Sequence, residues 1–279
     1  MNTLSADPGT PRDYVLGHSQ REIERLKAQA RLIDPITRRM FRAAGIAEGM
    51  RVLDVGSGAG DVAFLAAELT GASGTVVGVD RVATAIDEAR RRAAERALEN
   101  VSFRVGDPAD ITFDQTFDAV IGRYVLQFQD DPGTMLRRLA AQVRPGGVLV
   151  FHEIDWGGVN SFPPVPSFDR ACRWGAETMR LHRTETRMGA RLHATFLAAG
   201  LPAPTMRLEA LLGGGPNAAD VMHLLAGVVA TLLPEMERLG VATAGEVAID
   251  TLVERMSGEA AQSRSIVIGH NQIAAWCRK

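Results

Sequence analysis

The stretch 51–61 constrains the fold of this chain more than any other. A short apolar run carries one acid, Asp54, and breaks into three alternating glycines, after which apolar residues recur at helical spacing from Val62 to Leu69. The glycines are Gly56, Gly58 and Gly60. This order predicts a strand, a tight glycine turn and a helix. Such a turn lets the backbone approach a ligand closely and presents the free N–H groups of the helix start to an anionic group.

The spacing of the glycines separates two kinds of nucleotide loop. The dinucleotide fingerprint G-x-G-x-x-G would place its third glycine at position 61, where this chain has Asp61. The run is instead acid-x-G-x-G-x-G. It resembles the cofactor loop of class I S-adenosylmethionine-dependent methyltransferases of small-molecule type, such as those of quinone biosynthesis and secondary metabolism. The resemblance covers residues 50–155 and implies S-adenosyl-L-methionine as the cofactor. It implies cofactor contacts for Asp54, Gly56, Ser57, Gly58 and Gly60.

Length and composition favour a soluble globular protein. With 279 residues, 46% hydrophobic and 23% charged, the chain is long enough for one large α/β domain with an added substructure, or for two small domains. The net charge of −2 provides no basic field for nucleic acid. The basic cluster at 90–92 is predicted to be a solvated helix face, since Asp87 and Glu88 lie four residues before Arg91 and Arg92. We therefore expect no nucleic-acid partner.

The cysteines and the apolar runs indicate the cellular compartment of the protein. Cys172 and Cys277 lie far apart with no clustered histidines, which gives neither a disulfide framework nor a metal site. The longest apolar run, 224–233, is too short to span a bilayer, and the N-terminus lacks the pattern of a signal peptide. We expect a cytoplasmic protein, monomeric or homodimeric, that binds no metal and no membrane.

Residues 1–49 are predicted to form an N-terminal helical cap. A capping box, Ser19 to Glu22, begins one helix, and Asp34-Pro35 begins a second helix that Gly45 closes. Two interpretations stay open: the helices pad one edge of the sheet, or they close over the cofactor as a lid, as such segments do in similar methyltransferases. Tyr14 is the residue of this segment that we expect to contact cofactor or substrate.

Residues 50–155 are predicted to form the cofactor-binding core. Near-continuous apolar strands at 52–55, 75–80, 101–105, 117–122 and 148–151 alternate with helical patterns. We therefore expect an α/β fold of Rossmann-like, doubly wound type with a mostly parallel sheet. The resemblance implies seven strands, of which the last is antiparallel. Ligands of such sheets lie at the carboxyl ends of the strands.

Two acids at strand ends are candidates for the nucleoside half of the cofactor. Asp80, about 20 residues past the glycine loop and followed by Arg81, can accept two hydroxyl hydrogen bonds from a ribose; the alternative is a helix N-cap. In the resembling family an acid after the third strand bonds the adenine amino group, and Asp107 stands there, with a turn-forming Asp as the alternative. Its neighbours Gly106 and Pro108 would share that contact.

The segment after the fourth strand is expected near the reacting methyl. In the resembling family it lines the methionine half of the cofactor, and this assigns Arg123 and Tyr124 to the site. Arg123 would meet the cofactor carboxylate or, equally, be a surface ion-pair partner.

Residues 156–279 are predicted to complete the sheet and to build the substrate side. Strands are expected at 208–212 and 265–276, with 266–268 as the clearest part of the last strand. Between them, residues 216–262 form a helical insertion in which Pro234 breaks a helix. This insertion is either a lid over an apolar chamber or peripheral packing. Substrate contacts are assigned to Trp156, Trp174, His182 and Met222, which indicates a hydrophobic acceptor of small or medium size.

The predicted reaction is in-line methyl transfer to carbon, oxygen or nitrogen, in which positioning is the main requirement. His152 is the candidate base and Glu153 its partner, if the acceptor atom carries a proton; the alternative is a satisfied histidine at a strand end. Two other functions compete: a non-methylating protein that binds the cofactor in a structural or pericyclic role, and a nicotinamide-dependent oxidoreductase, which Asp61 opposes.

Overall fold

The computed structural model describes residues 20–279, so Tyr14 and Ser19 lie outside the described residues. The helices are α1 Gln20–Ala44, α2 Asp61–Thr70, α3 Ala83–Glu95, α4 Pro132–Ala141, α5 Pro166–Leu181, α6 Met188–Ala198, α7 Ala219–Arg238, α8 Ala244–Val247 and α9 Ile249–Ser263. The strands are β1 Arg51–Val55, β2 Thr75–Asp80, β3 Val101–Val105, β4 Phe117–Arg123, β5 Val143–Asp155, β6 Asn160–Phe162, β7 Thr205–Glu209, β8 Leu212–Gly214, β9 Ile266–Ile268 and β10 Asn271–Arg278.

Seven strands form one doubly wound sheet in the order β3-β2-β1-β4-β5-β10-β7. Strands β1 to β5 run parallel, whereas β10 pairs antiparallel with both β5 and β7. The predicted fold class, including the antiparallel last strand, is confirmed. The strand order reverses at β1, between β2 and β4, and this reversal places the crevice for a ligand at the carboxyl end of β1.

Both faces of the sheet are buried, as a parallel sheet requires. Successive residues of β1 point to opposite faces: Val52 belongs to the core with α2 and α3, while Leu53 belongs to the core with α4 and α6. A third apolar cluster joins α5, α7 and α9 beyond the sheet. This third cluster makes a packed helical body of much of the chain after residue 155.

Helix α1 is one continuous helix and not the two that the sequence predicted. Pro35 lies inside it, where the missing N–H removes one helical hydrogen bond. The helix persists because Ile33, Ile36 and Met40, on both sides of the proline, are buried against the sheet. Its end is as predicted, since Gly45 follows with a φ of +94°.

Two other boundaries also differ from the prediction. The segment Ile266–Ile268 lies in a separate three-stranded sheet of order β6-β9-β8, and only Asn271–Arg278 enters the main sheet. Pro234 lies inside α7 and does not break it. Within the described residues α7 is the one helix long and apolar enough to cross a membrane. Its packing against α5 and α9 accounts for that composition.

Candidate active site

The glycine loop after β1 adopts a backbone that side chains would strain. Gly56, Gly58 and Gly60 have φ values of +66°, +50° and +92°, in the left-handed region that favours glycine. A Cβ on Gly56 would lie 2.7 Å from Val125 Cγ2, and one on Gly60 would lie 2.8 Å from Phe64 Cζ. A Cβ on Gly58 would meet nothing within 4 Å. Neighbouring side chains therefore pack directly against Gly56 and Gly60, whereas the space beside Gly58 is free. A ligand can approach the backbone of the loop at Gly58.

Two buried polar side chains at this loop have no hydrogen-bond partner among the described residues. Both carboxylate oxygens of Asp54 and the hydroxyl of Ser57 are buried without one. Burial raises the pKa of Asp54 well above its usual range, although the nearby Arg123 lowers it. Buried polar groups normally have partners, so these atoms fit a site that a polar ligand completes.

Asp80 ties the second strand to the glycine loop. Its Oδ2 accepts a hydrogen bond from the Gly58 N–H at 2.9 Å, and its Oδ1 accepts one from the Val82 N–H at 2.9 Å. Val82, not Asp80, is the N-cap of α3. Because each carboxylate oxygen can accept more than one hydrogen bond, both oxygens can still accept from ribose hydroxyls. The ribose contact stays a prediction.

The predicted adenine residues meet at the ends of β2 and β3. The Gly106 N–H donates to the Asp80 carbonyl at 2.9 Å, which joins the two strand ends. Asp107 Oδ1 accepts from the Ala109 N–H at 2.9 Å, so the turn-forming role of this acid is present in the structure. Arg81 Nη1 lies 3.7 Å from Asp107 Oδ2. Pro108 is buried beside them.

Arg92 braces the glycine loop, contrary to the predicted solvated face. Its guanidinium donates to the Ala59 carbonyl and to Asp61 Oδ1, both at 2.6 Å, and the residue is buried. Only Arg90 and Arg91 of the cluster form surface pairs. Asp61, which replaces the third glycine of the dinucleotide fingerprint, is therefore the anchor of the loop to α3.

Arg123 links the end of β4 to helix α1. Its Nη1 donates to Asp34 Oδ1 at 2.6 Å and to Thr37 Oγ1 at 3.1 Å. The side chain of Arg123 is 7% exposed and that of Asp34 is 29% exposed, so Arg123 is an ion-pair partner, as the alternative predicted, but the pair is partly buried and not on the open surface. Desolvation by burial raises the pKa of Asp34 despite the pairing with Arg123. A contact with the cofactor carboxylate stays a prediction.

His152 is the centre of a buried hydrogen-bond network. Its Nδ1 lies 3.1 Å from Thr37 Oγ1 and its Nε2 lies 2.9 Å from Gln272 Oε1. The Gln272 amide also donates to the His270 carbonyl at 3.2 Å and accepts from the Tyr124 hydroxyl. This orientation makes His152 Nε2 the donor and Nδ1 the acceptor, so Nδ1 shares the single Thr37 hydroxyl proton with the Ile33 carbonyl, which also lies 3.1 Å from Thr37 Oγ1. Burial, together with the charge of Arg123, lowers the pKa of His152 to about 3.

The geometry therefore gives His152 the role of a satisfied strand-end histidine. Both ring nitrogens are engaged, and the ring is fully buried. A general base needs a nitrogen within reach of the proton that it removes. The catalytic role of His152 stays a prediction, and the alternative that the sequence left open, a satisfied histidine, accounts for each contact seen here.

Glu153 holds the turn after β4 and does not contact His152. Its Oε1 accepts from the N–H groups of Val125 and Leu126 at 2.9 and 2.8 Å, while Oε2 has no partner among the described residues. Burial raises the pKa of Glu153 to about 8. The turn that it holds includes Tyr124, which has a φ of +58°. Glu153 thus stabilises a strained backbone conformation that directs the tyrosine side chain.

An apolar cavity opens beyond the carboxyl ends of β4 and β5. It has about 560 Å³ of empty space, part of it open to solvent. Its polar lining residues are Gln29, Tyr124, Trp156, His270 and Gln272. The rest of the wall is Ile33, Ile154, Val159, Phe168, Leu211, Val221, Leu224, Leu225, Val228 and Gly269. Among the described residues no Asp, Glu, Lys or Arg lines the cavity, so it fits a largely apolar, uncharged molecule.

The four predicted substrate residues fall into two groups. Trp156 lines the cavity. Trp174, His182 and Met222 do not belong to its described lining. His182 Nε2 pairs with Glu235 at 2.8 Å and joins α5 to α7, and Met222 is fully buried in the helical cluster. In this geometry the second group belongs to the helical cluster behind the cavity wall, and its substrate contacts stay a prediction.

Sequence reasoning missed several residues of the site. Thr37, Arg92, His270 and Gln272 all form contacts that shape the loop or the cavity. One signal was available for Thr37, which is a polar residue on the apolar face of α1 that Ile33 and Met40 define. No comparable signal marks His270, because the prediction placed it inside a single continuous strand.

A glycine loop at the strand-order reversal, with acids at the ends of β1, β2 and β3, defines a Rossmann-like protein that binds a nucleoside cofactor. Residues 46–193, more than half of the chain, match the family model described as a methyltransferase domain. The chain belongs to this family. The prediction of a class I methyltransferase with S-adenosyl-L-methionine as its cofactor is thereby confirmed.

The relatives with similar sequences are methyltransferases of small molecules. Aklanonic acid methyltransferase DauC of Streptomyces sp. (strain C5) is 39% identical over 118 residues, which cover 42% of this chain and 54% of that protein. Nocamycin O-methyltransferase of Saccharothrix syringae is 33% identical over 186 residues, which cover 66% of this chain and 60% of that protein. The chain thus spans a little over half the length of these relatives.

Solved structures with the same fold have low sequence identity. The YcgJ protein of Bacillus subtilis has a TM-score of 0.53 at 20% identity, covering 86% of this chain and 97% of its own. A phosphoethanolamine N-methyltransferase 2 of Haemonchus contortus, in complex with S-adenosyl-L-methionine, has a TM-score of 0.53 at 18% identity, covering 86% of this chain and 52% of its own. These likenesses concern the fold.

Proposed function

We propose that this protein transfers a methyl group from S-adenosyl-L-methionine to a small or medium-sized hydrophobic metabolite, on carbon, oxygen or nitrogen, by in-line displacement. When bound, the cofactor supplies a methyl group already activated on a sulfonium. The observation that carries the proposal is the position of the uncharged cavity. Tyr124 lines the cavity. The next residue, Val125, packs against Gly56 of the glycine loop, since a Cβ on Gly56 would lie 2.7 Å from Val125 Cγ2. The acceptor chamber therefore adjoins the cofactor loop.

The residues of the cofactor half act by binding and orienting. Asp54 and Ser57 offer buried polar atoms that lack partners, and Asp80 can accept ribose hydroxyls while it holds the Gly58 N–H. Arg92 keeps the loop against α3. These contacts fix the loop before a ligand arrives, which lowers the entropic cost of binding.

The residues of the acceptor half act by enclosure. Helix α1 contributes Gln29 and Ile33 to the wall, and α7 contributes Val221 and Leu225. We therefore favour the lid over the padding interpretation for both the N-terminal cap and the insertion. These walls hold an apolar acceptor in line with the methyl group, and such orientation can supply about 7–11 kcal/mol of the barrier.

The experiment that tests the proposal is label transfer. The protein is incubated with methyl-labelled S-adenosyl-L-methionine and a panel of apolar aromatic and quinone-type acceptors, and the organic extract is analysed by mass spectrometry. Calorimetry with S-adenosylhomocysteine is run in parallel. Labelled product supports the proposal. Binding of S-adenosylhomocysteine without label transfer to any acceptor would favour the non-methylating alternative.

We further propose that the protein works in the cytoplasm, as a monomer or homodimer, without a nucleic-acid or membrane partner. The net charge of −2 and the two buried free cysteines support this. The division into 1–49, 50–155 and 156–279 is proposed as functional: cap, cofactor core and acceptor side. A role in secondary metabolism belongs to the same proposal, since DauC and the nocamycin enzyme bear names of that kind.

A further inference from the structure

Two buried ring nitrogens on residues that line the cavity have no partner among the described residues. They are His270 Nε2 and Trp156 Nε1. The two rings form an edge contact with centroids 4.2 Å apart and an interplanar angle of 70°. Leaving a polar group buried and unpaired is unfavourable, so two of them on neighbouring residues that line one cavity point to a ligand that binds both.

Packing fixes the position of this pair. A Cβ on Gly175 would lie 2.8 Å from Trp156 Cζ3, so α5 packs directly on the indole. His270 lies in the two-residue link between β9 and β10, and its carbonyl accepts from the Gln272 side chain at 3.2 Å. The packing of α5 on Trp156 and the hydrogen bond from Gln272 therefore hold the two residues in position.

The chemistry of the two nitrogens selects the ligand group. The Trp156 indole N–H is only a donor. Burial lowers the pKa of His270 to about 4, so at neutral pH its ring is uncharged and one nitrogen can accept. A hydroxyl group can accept from the indole and donate to the imidazole at the same time. In the His270 tautomer whose Nε2 accepts, a carbonyl or an ether could satisfy only the tryptophan, whereas a hydroxyl satisfies both rings.

We propose that His270 and Trp156 together bind one hydroxyl group of an otherwise apolar, uncharged acceptor, so that the substrate class is a hydroxylated aromatic or alicyclic metabolite. This inference rests on the proposed function and names the substrate class of the same site. The described lining of the cavity is apolar and uncharged, which favours an uncharged acceptor.

The test compares two probes that differ only in the hydroxyl group, 1-naphthol and naphthalene, with the full chain saturated by S-adenosylhomocysteine. Calorimetry should give 1-naphthol at least about tenfold the affinity of naphthalene, because two hydrogen bonds each contribute about 1 kcal/mol. In ¹⁵N spectra, the Trp156 indole signal, assigned by Trp156→Phe, should shift with 1-naphthol and not with naphthalene.

Variants identify the residues responsible. His270→Phe and Trp156→Phe should each lower 1-naphthol affinity about fivefold while naphthalene affinity changes less than twofold. His270→Gln, which restores an acceptor, should recover part of the loss. His193→Phe, at an exposed position on α6, is the matched control and should leave both affinities unchanged.

Two outcomes are distinguishable. Equal affinities for the two probes in a protein that binds S-adenosylhomocysteine would overturn this inference alone. Failure of the wild-type protein to bind S-adenosylhomocysteine would overturn the proposed function. A His270→Phe variant that loses naphthalene as well as 1-naphthol would assign the residue a packing role and would also contradict the inference.

Discussion

Glu153 offers a direct test of how burial controls the turn beside the cofactor loop. Its carboxyl is fully buried, holds the N–H groups of Val125 and Leu126 through Oε1, and leaves Oε2 without a partner among the described residues. Glu153→Gln keeps an oxygen for the two N–H groups and has nearly the shape of the protonated acid. We expect this variant to keep the fold and to change how stability depends on pH.

The sign follows from the pKa of Glu153, which burial raises from an ordinary 4.5 to about 8. Below about pH 4.5 the carboxyl is protonated in both the folded and the unfolded chain. In that range the difference in folding free energy between variant and wild type does not change with pH. As pH rises toward 8, only the unfolded carboxyl ionises, and the wild type loses about 1.4 kcal/mol of folding free energy per pH unit. The glutamine variant has no such loss. Between about pH 5.5 and 7.5 the variant should gain up to about 2.7 kcal/mol relative to wild type.

The assay is urea unfolding, followed by far-UV circular dichroism and tryptophan fluorescence, at several pH values across that range. Taking the difference between variant and wild type cancels the titration of Asp54, His152 and His270, which both proteins share. Glu99→Gln, at an exposed position, corrects for the loss of one carboxyl. A difference that stays constant with pH, or one that shrinks as pH rises, would refute the reasoning that Glu153 is protonated in the folded protein.

Three further substitutions test the loop and the cap. Asp80→Ala should weaken S-adenosylhomocysteine binding at least about tenfold in calorimetry, because two hydroxyl hydrogen bonds are lost, while the protein stays folded; unchanged affinity would count against the ribose contact. Gly60→Ala should cost more unfolding free energy than Gly58→Ala, since only the former brings a Cβ within 2.8 Å of Phe64; equal losses in urea would contradict this packing. Thr37→Val should lower the unfolding free energy by about 1–3 kcal/mol, because it removes a partner of His152; no loss would mean that the Thr37 hydroxyl does not contribute to stability.

The cofactor half of the site could be predicted from the sequence because its determinants are local. The glycines after β1 and the acid that ends β2 fall within about 25 residues of one another, and the loop conformation follows from the residue types. The bounds of β2 and β3 agree with the prediction for the same reason. A buried apolar run between turn signals leaves little choice of structure.

The acceptor half could not be predicted because its contacts join distant segments. His152 meets Thr37 and Gln272, which are 115 and 120 residues away. A polar residue at a strand end has the same local sequence pattern whether its side chain contacts a substrate or forms hydrogen bonds with a neighbouring helix. The proposal of His152 as a base followed from position alone, and the partners that engage both ring nitrogens come from α1 and β10.

The proline positions show the same division between local and tertiary control. Pro35 and Pro234 each predict a helix boundary, since proline lacks the N–H that the helix needs. Both lie inside continuous helices. Around Pro35, Ile33 and Ile36 are buried, and around Pro234, Leu232 and Met236 are buried. At about 2 kcal/mol for each buried aliphatic side chain, two of them offset the roughly 3 kcal/mol that an internal proline costs.

The two halves of the site can therefore change independently. The glycine loop is held by Arg92 and Asp80, which lie in the core, whereas the cavity is walled by α1, α7 and the β9–β10 link. Substitutions at Gln29, His270 or Leu225 would alter the acceptor that fits without disturbing the loop. Helix α1, helix α7 and the β9–β10 link all lie outside residues 50–155. A substitution in one of them can therefore change the shape of the cavity while the glycine loop, which Arg92 and Asp80 hold, keeps its conformation.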